Sequence, residues 1–340
     1  MFNAQYKLTS PNIIEKMYSN IDITKTEILV RPESLSVCKA DMRYYYGMRS
    51  AKVLKERLPL VLIHEAAGRV IYAADDSKYK IGDKVILLPN IPGKNEDRLE
   101  NYREDSLFRS SKVDGFMQEL VQLPESQVVK YQNIPTQIAS FVEFISIGVH
   151  AIKGYLERCN HKIEHIGVWG DGGLGYIICS LLKFYLPKVK ITIIGKTKSK
   201  LEMFQFVDSI YTIDEVQKMD LYFDDVFECV GGQASGKAIE QIIDMIRPEG
   251  IVTLLGVSEE PVPILTRMIL EKGLVFIGRS RSTKEDFEET VRLIEENERL
   301  KSRLGMLVSE EVCINAINDI NKAFEYAQVA DFKVVMNWNI

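Results

Sequence analysis

Hydrophobic and polar positions follow one pattern up to about residue 140 and a different one after it. In the first part the apolar residues form short runs between turn residues, which is typical of β-strands. The runs are 27–31, 60–63, 84–88 and 118–122, and no regular helical spacing separates them. This part is predicted to be a mostly antiparallel β-domain, with residues 89–111 as a polar loop or lobe.

From residue 141 onward, segments with helical spacing alternate with short apolar runs. Residues 141–156 are predicted to be helical, residues 285–300 to form a charged amphipathic helix, and residues 332–338 a terminal strand. Strands that alternate with helices form βαβ crossovers and a doubly wound parallel sheet. The buried strands predicted for this sheet are 166–169, 190–194, 209–213, 225–229, 251–255 and 274–277.

A glycine-rich turn joins the first of these strands to the helix that follows it. Gly170 permits the tight turn, Gly172 lets the backbone approach a pyrophosphate, and Gly175 lets helix and strand pack closely. The helix N-terminus adds free N–H groups that can bind phosphate oxygens. The predicted dinucleotide-binding residues of this turn are Gly170, Gly172, Gly173, Leu174 and Gly175.

The end of the second strand of the predicted parallel sheet bears on the choice between NAD and NADP. An NAD-specific site carries an Asp or Glu there for the ribose 2′-hydroxyl. Here the strand ends at Gly195, and Lys196, Thr197 and Lys200 follow. A glycine leaves room for a 2′-phosphate, and the residues after it supply donors and positive charge. NADP(H) is therefore the predicted cofactor.

Composition and charge limit the partners. Among 340 residues, 43 Lys and Arg stand against 48 Asp and Glu, a net charge of −5, which gives no basic surface for nucleic acid. No stretch approaches the roughly 20 apolar residues that span a bilayer, and the N-terminus lacks a signal-peptide pattern. We expect a cytoplasmic protein with a small-molecule substrate and no membrane partner.

Cysteine, histidine and glutamate residues suggest a zinc site. Cys38, His64 and Glu65 lie in the β-rich part, and Glu143 follows at its end. Thiolate, imidazole and carboxylate groups are zinc ligands, and this set resembles a catalytic site, in which substrate or water reaches the metal. The sequence leaves open which of Glu65 and Glu143 binds the metal at rest. The cysteines predicted to be ordinary thiols without ligand-like neighbours are Cys159, Cys179, Cys229 and Cys313.

Taken together, these motifs resemble the zinc-dependent medium-chain dehydrogenase/reductase family over essentially the whole chain. The matching segments are 38–41, 64–68, 82–85, 143–151, 170–175 and 227–232. The resemblance implies a GroES-like β-rich catalytic domain over 1–145 and an NADP-binding Rossmann domain over 146–280. It also implies that residues 281–340 return to complete the catalytic domain.

Within that family the chain is most similar to the ribulose-5-phosphate reductases, also called ribitol-5-phosphate 2-dehydrogenases. This resemblance implies reversible, NADPH-dependent reduction of D-ribulose 5-phosphate to D-ribitol 5-phosphate for teichoic acid or capsule. It further implies a homodimer, with a ribitol-5-phosphate cytidylyltransferase as a candidate partner. The alternatives are a dehydrogenase of a neutral polyol or secondary alcohol and, from another class, a non-catalytic NADP-binding sensor or scaffold.

Some positions depart from the family pattern. Residues 89–111 contain no cysteine, so the resemblance implies one catalytic zinc and no structural zinc. Ala40 stands where many members carry a Ser or Thr that passes the proton. The remaining candidates for proton transfer are a metal-bound water, Tyr44, or a water held by Asp41 or Glu65.

Two basic residues are assigned roles by the same resemblance. Arg43 stands where polyol dehydrogenases often have His, and a guanidinium group is a poor proton shuttle but a good phosphate clamp. This substitution favours a phosphorylated substrate. Lys333 matches a basic position near the cofactor phosphates, although a lysine on an edge strand is an alternative explanation.

Overall fold

The computed structural model describes residues 1–95 and 98–340 of the chain, so two positions of the predicted 89–111 lobe lie outside the described residues. The described residues form two compact units. Unit 1 comprises Met1–Ser146 and Arg281–Ile340, and unit 2 comprises Ile147–Ser280. The C-terminal segment therefore belongs to the same unit as the N-terminal part of the chain.

Unit 1 is built mainly from antiparallel strands. The strands are β1 (Phe2–Ser10), β2 (Ile13–Asn20), β3 (Ile28–Ser36), β4 (Leu60–Val61), β5 (Glu65–Ala73), β6 (Lys84–Leu87), β7 (Asn90–Ile91), β8 (Leu107–Phe108), β9 (Val121–Leu123), β10 (Val128–Lys130), β17 (Val308–Ile314) and β18 (Lys333–Trp338). The main sheet has the order β10-β6-β5-β3-β18-β17, and β9 also pairs with β3. Strands β2-β1-β4 form a second sheet, and β7 pairs with β8.

Short helices interrupt the strands of unit 1. They are α1 (Lys39–Tyr45), α2 (Ala51–Arg57), α3 (Thr136–Ser140) and the start of α4 (Val142–Leu156). The prediction of no regular helices in this part is wrong, since the structure contains α1 and α2. These helices have seven residues each, which is too short to show helical spacing clearly in the sequence. None of the helices among residues 1–95 and 98–340 has the length and hydrophobicity needed to cross a membrane.

The charged segment near the C-terminus also differs from its prediction. Residues 285–300 were expected to form one helix, but α10 (Lys284–Glu296) ends before Asn297 and α11 (Glu298–Gly305) begins after it. Asn297 has an extended backbone, and its side chain accepts a hydrogen bond from the Leu300 N–H, which caps α11. The chain then forms β17, α12 (Ile317–Val329) and β18.

Unit 2 contains the predicted doubly wound parallel sheet. Its strands are β11 (His165–Trp169), β12 (Lys190–Gly195), β13 (Ser209–Thr212), β14 (Asp225–Glu228), β15 (Ile251–Leu254) and β16 (Val275–Gly278). Their order, β13-β12-β11-β14-β15-β16, is the Rossmann order, and neighbouring strands are parallel. The helices are α5 (Gly173–Tyr185), α6 (Lys198–Leu201), α7 (Ile213–Val216), α8 (Ala234–Met245) and α9 (Thr266–Lys272). The predicted fold class is confirmed.

Candidate functional site

The predicted metal ligands of the β-rich part meet in unit 1. One ligand atom each from Cys38, His64 and Glu65 lies within 4.8 Å of the others. Antiparallel pairing of β3 with β5 places Ser36 opposite Glu65, which brings the segment just after β3 beside the start of β5. Cys38 follows β3 and precedes α1, so the sheet register itself assembles the cluster. We call these three residues the ligand cluster.

Asp41 fixes the orientation of the His64 ring. The Nδ1 atom of His64 lies 3.3 Å from Oδ1 and 3.2 Å from Oδ2 of this carboxylate. Because Nδ1 is occupied, Nε2 is the nitrogen that remains for a metal, an arrangement typical of metal-binding histidines. Asp41 also accepts hydrogen bonds from the Ser110 hydroxyl and, at 3.1 Å, from the Ile63 N–H.

The electrostatics of the ligand cluster favour a bound cation. Burial opposes a charged imidazole, but Asp41 and Cys38 outweigh it and raise the pKa of His64 well above its usual value. Burial would likewise raise the pKa of Asp41, but His64, Ser110 and the Ile63 N–H lower it. The field here thus stabilises positive charge, and the thiol, imidazole and carboxylate donors match the ligand chemistry of zinc. The residues present therefore fit this metal.

Glu65 is paired with the basic residue that was predicted to contact the cofactor. The Lys333 Nζ atom lies 2.5 Å from Oε1 and 2.7 Å from Oε2 of Glu65, and both residues are buried. The same ammonium group lies 4.3 Å from the centre of the Phe144 ring. The alternative of an edge-strand lysine is wrong, because β18 lies between β3 and β17. The geometry favours a role for Lys333 at the ligand cluster.

Glu143 is buried close to the same charges. Burial raises its pKa to about 7, while His64 lowers it and Glu65 raises it. Among the described residues, the carboxylate grouped with Cys38 and His64 is that of Glu65. The geometry therefore favours Glu65 as the nearer carboxylate ligand.

The other predicted catalytic residues of unit 1 lie on α1, the helix that carries Asp41. Tyr44 is buried, and the Arg49 guanidinium carbon lies 5.0 Å from the centre of its ring. Arg43 lies on the same helix and is half-buried. Ser110, which bonds Asp41, was missed because the 89–111 lobe carries no recognisable motif.

The glycine-rich turn of unit 2 has the predicted backbone geometry. Gly170 has a φ of +120°, and a side chain there would meet the Cys229 backbone at 2.8 Å. A Cβ atom on Gly175 would lie 1.9 Å from the Gly170 carbonyl oxygen, so only glycine fits. By contrast, a Cβ on Gly172 meets nothing within 4 Å, and Gly173 opens α5. The backbone around Gly172 is thus open to a pyrophosphate, as the motif requires.

Asp171, the residue that follows Gly170 in the glycine-rich turn, has a role that the sequence did not reveal. Asp171 Oδ2 accepts hydrogen bonds from the N–H groups of Lys196 at 2.8 Å and Thr197 at 2.6 Å. A Cβ atom on Gly195 would lie 2.6 Å from the Asp171 Cβ. Gly195 therefore makes room for Asp171, and a carboxylate does lie near the end of β12, although it comes from the preceding turn. No local motif signals this contact.

Another group of possible ligands lies in unit 2. Cys159 was expected to lack ligand-like neighbours, but its ligand atom lies within 4.8 Å of those of His161 and Asp225, so that expectation is wrong. Asp225 already accepts hydrogen bonds from the Tyr155 hydroxyl and the Ile251 N–H, both at 2.7 Å, and lies 2.9 Å from His161 Nε2. Since the buried carboxylate is satisfied by protein groups, we interpret this cluster as structural.

Known proteins resemble both units. Residues 24–135 match the model of the alcohol dehydrogenase GroES-like domain, and residues 173–296 match that of zinc-binding dehydrogenases. Ribulose-5-phosphate reductase 1 of Staphylococcus aureus is 42% identical over 99% of both chains. Ribulose-5-phosphate reductase of Bacillus spizizenii is 41% identical over 100% of both.

The chain belongs to the ribulose-5-phosphate reductase family of zinc-binding dehydrogenases. A solved structure of S. aureus TarJ in complex with NADPH covers 100% of both chains, with 38% identity and a TM-score of 0.89. The resemblance stated from the sequence is therefore confirmed, and membership makes the chain an oxidoreductase. The ligand cluster lies within the residues that match the alcohol dehydrogenase GroES-like domain.

Proposed function

We propose that this protein reduces D-ribulose 5-phosphate to D-ribitol 5-phosphate with NADPH, in a reversible reaction. The observation that carries the proposal is the full-length identity of about 40% with relatives named for this reaction. The NADPH complex of the similar S. aureus structure supports the cofactor. The intact ligand cluster argues against a non-catalytic sensor, which has no need of an open metal site.

One catalytic zinc per chain is the proposed metal content. Cys38, His64 and Glu65 would hold it, with Glu143 beside them. When bound, the metal polarises a ketone carbonyl and the nicotinamide supplies hydride. No structural zinc is proposed, because residues 89–111 lack cysteine.

The protein's own groups hold, orient and protonate the substrate. Asp41 keeps His64 in the tautomer that presents Nε2 to the metal. Arg43 is proposed to bind the substrate phosphate. Since the Asp41 and Glu65 carboxylates are engaged by His64 and Lys333, we propose that the new hydroxyl group takes its proton through a water or Tyr44.

The cofactor is proposed to bind along the glycine-rich turn. Its pyrophosphate would lie against the backbone at Gly172 and the N-terminus of α5, where free N–H groups stabilise phosphate. The 2′-phosphate would be held by the segment after β12, through Lys196, Thr197 and Lys200. Lys333 is not needed for this arrangement, because its ammonium group neutralises Glu65.

The proposed setting follows from the product. D-ribitol 5-phosphate would supply teichoic acid or capsule synthesis in the cytoplasm. The protein would act as a homodimer, and a ribitol-5-phosphate cytidylyltransferase would use its product. Size-exclusion chromatography with light scattering tests the dimer, and co-purification with the cytidylyltransferase tests that partner.

Product analysis tests the proposed reaction. The purified protein is incubated with NADPH and D-ribulose 5-phosphate, and the product is separated from the epimeric arabinitol phosphate and identified. Ribitol 5-phosphate should form in equal amount to the NADPH oxidised. Binding of NADPH without any turnover would instead support the scaffold alternative. Reduction of D-ribulose as efficient as that of D-ribulose 5-phosphate would support a neutral-polyol dehydrogenase.

A further inference from the structure

Arg281 approaches the ligand cluster from the start of the C-terminal segment of unit 1. Its guanidinium carbon lies 5.3 Å from the centre of the Phe108 ring. The ring centre of His64 also lies close to the Phe108 ring centre, at 5.4 Å. Phe108 therefore lies next to both the imidazole and the guanidinium group. Since the Arg281 guanidinium carbon and the His64 ring centre lie 5.3 Å and 5.4 Å from the Phe108 ring centre, they are separated by no more than the sum of these two distances.

The backbone at Arg281 is held in an unusual conformation. Its φ of +58° lies in the left-handed region, which non-glycine residues rarely adopt. Ile63, before His64, and Ser110, which bonds Asp41, share this feature with φ values of +68° and +61°. Such conformations persist only where the surrounding structure enforces them, and they concentrate at functional sites.

Among the residues that the structure describes, the Arg281 guanidinium group contacts a backbone carbonyl oxygen and an aromatic ring. Its hydrogen bond runs from Nη1 to the Asn101 carbonyl oxygen at 3.5 Å, which is long. No Asp or Glu among residues 1–95 and 98–340 forms an ion pair with it. A half-buried guanidinium with an aromatic face on one side is therefore available for an anion.

The length of the substrate fits the distance between the ligand cluster and Arg281. Five bonds of about 1.5 Å separate C2 of ribulose 5-phosphate from its phosphorus, so an extended molecule places the phosphate roughly 6 Å from C2. A charge-assisted hydrogen bond adds about 2.8 Å. A ketone held at the ligand cluster would therefore bring its phosphate within reach of Arg281.

We propose that Arg281 binds the phosphate of the substrate and, with Phe108 as its support, determines the preference for a phosphorylated ketose. This inference rests on the proposed function. It adds a specificity-determining residue from the C-terminal segment to Arg43 on α1. The planar guanidinium donates in a fork that matches two phosphate oxygens, which a lysine cannot reproduce.

The test compares Arg281→Asn with wild type. Asn tolerates the left-handed region, so this variant removes the cation without adding backbone strain. We expect kcat/KM for ribulose 5-phosphate to fall about 10- to 100-fold, as for loss of a charge-assisted contact. The value for unphosphorylated ribulose should stay within about threefold, and the loss should appear mainly in KM. Arg281→Lys should retain part of the preference.

A control variant and an inhibitor make the test specific. Arg299→Asn removes an exposed arginine from α11 and should behave as wild type. Inorganic phosphate should inhibit ribulose reduction by wild type and do so at least tenfold less well in Arg281→Asn. Melting temperature and NADPH binding report whether the variant is folded.

Two outcomes would overturn the inference. If Arg281→Asn lost activity toward both ketoses equally, Arg281 would serve the Phe108–His64 packing and not the phosphate. If the ratio of the two kcat/KM values did not change, another group would bind the phosphate. By contrast, a wild-type protein that reduced ribulose as efficiently as ribulose 5-phosphate would refute the proposed function itself.

Discussion

Glu65 and Lys333, which are 268 positions apart in the chain, form a buried ion pair at the ligand cluster. Both carboxylate oxygens lie within 2.7 Å of the ammonium nitrogen. Removing one partner of a buried pair leaves an uncompensated charge and costs about 3–5 kcal/mol. We therefore expect Lys333→Met to lower the free energy of unfolding by that amount, and Glu65→Gln with Lys333→Met to recover most of it.

Urea unfolding measures this effect in the zinc-free protein. Trp338 belongs to unit 1 and Trp169 to unit 2, so Trp338 fluorescence in a Trp169→Phe background follows unit 1 alone. The matched control is Lys130→Met, which breaks the more exposed pair with Asp83 and should cost at most about 1 kcal/mol. Similar losses of unfolding free energy in the two lysine variants would show that the buried pair stabilises the protein no more than the exposed pair does.

A second prediction concerns the metal. The purified protein should contain about one zinc per chain, and Cys38→Ala or His64→Ala should lose both zinc and activity. NADPH binding should persist, because the glycine-rich turn lies in unit 2. Elemental analysis and fluorescence titration measure the two properties. Cys313→Ala, an exposed thiol on β17, is the control that keeps both.

Two results would contradict the metal assignment. One is two equivalents of zinc per chain in the wild type, since residues 89–111 contain no cysteine for a structural zinc. The other is full activity after complete removal of metal by a chelator.

Much of the fold followed from the sequence because the signals were local. The parallel strands of unit 2 are apolar runs separated by helices, so the pattern of apolar and polar residues predicts them. The pair β1 and β2 was missed, because β2 has a largely exposed pattern and lacks a clear hydrophobic alternation. Helices α1 and α2 were missed because they are short.

The candidate site was predictable only where residue type is informative. Cys38, His64 and Glu65 could be selected because their side chains are typical zinc ligands, and the β3–β5 register brings them together. The partners of these residues were not predictable. Lys333 reaches Glu65, and Asp171 reaches the segment after β12, through contacts between distant parts of the chain that no local pattern encodes.

A third prediction concerns cofactor preference. Gly195→Asp places a second carboxylate beside Asp171 and the 2′-phosphate position, so it should shift the ratio of kcat/KM values toward NADH. Wild type should prefer NADPH by tenfold or more, because one charge-assisted contact is worth roughly 1.5–3 kcal/mol. Steady-state kinetics with both cofactors measures the ratio.

Gly195→Asn separates charge from bulk in this experiment. It introduces a side chain of the same size without the charge, and it should shift the ratio much less than Gly195→Asp. Equal shifts would mean that displacement of Asp171 accounts for the effect. Wild type that used NADH as well as NADPH would contradict the role given to Lys196, Thr197 and Lys200.

A fourth prediction concerns Arg43. If it binds the phosphate, Arg43→Ala should cost about 2–3 kcal/mol in kcat/KM toward ribulose 5-phosphate and far less toward ribulose. Lys39→Ala removes an exposed cation from the same helix and should have little effect. Equal losses on the two substrates would make Arg43 a structural residue or a supporter of the metal site.

The most direct test of the central claim is the ratio of kcat/KM for D-ribulose 5-phosphate to that for D-ribulose, measured with wild-type protein and NADPH. Charge-assisted contacts to the phosphate should make this ratio at least tenfold. A ratio near one would contradict the account and would make the protein a dehydrogenase of neutral polyols.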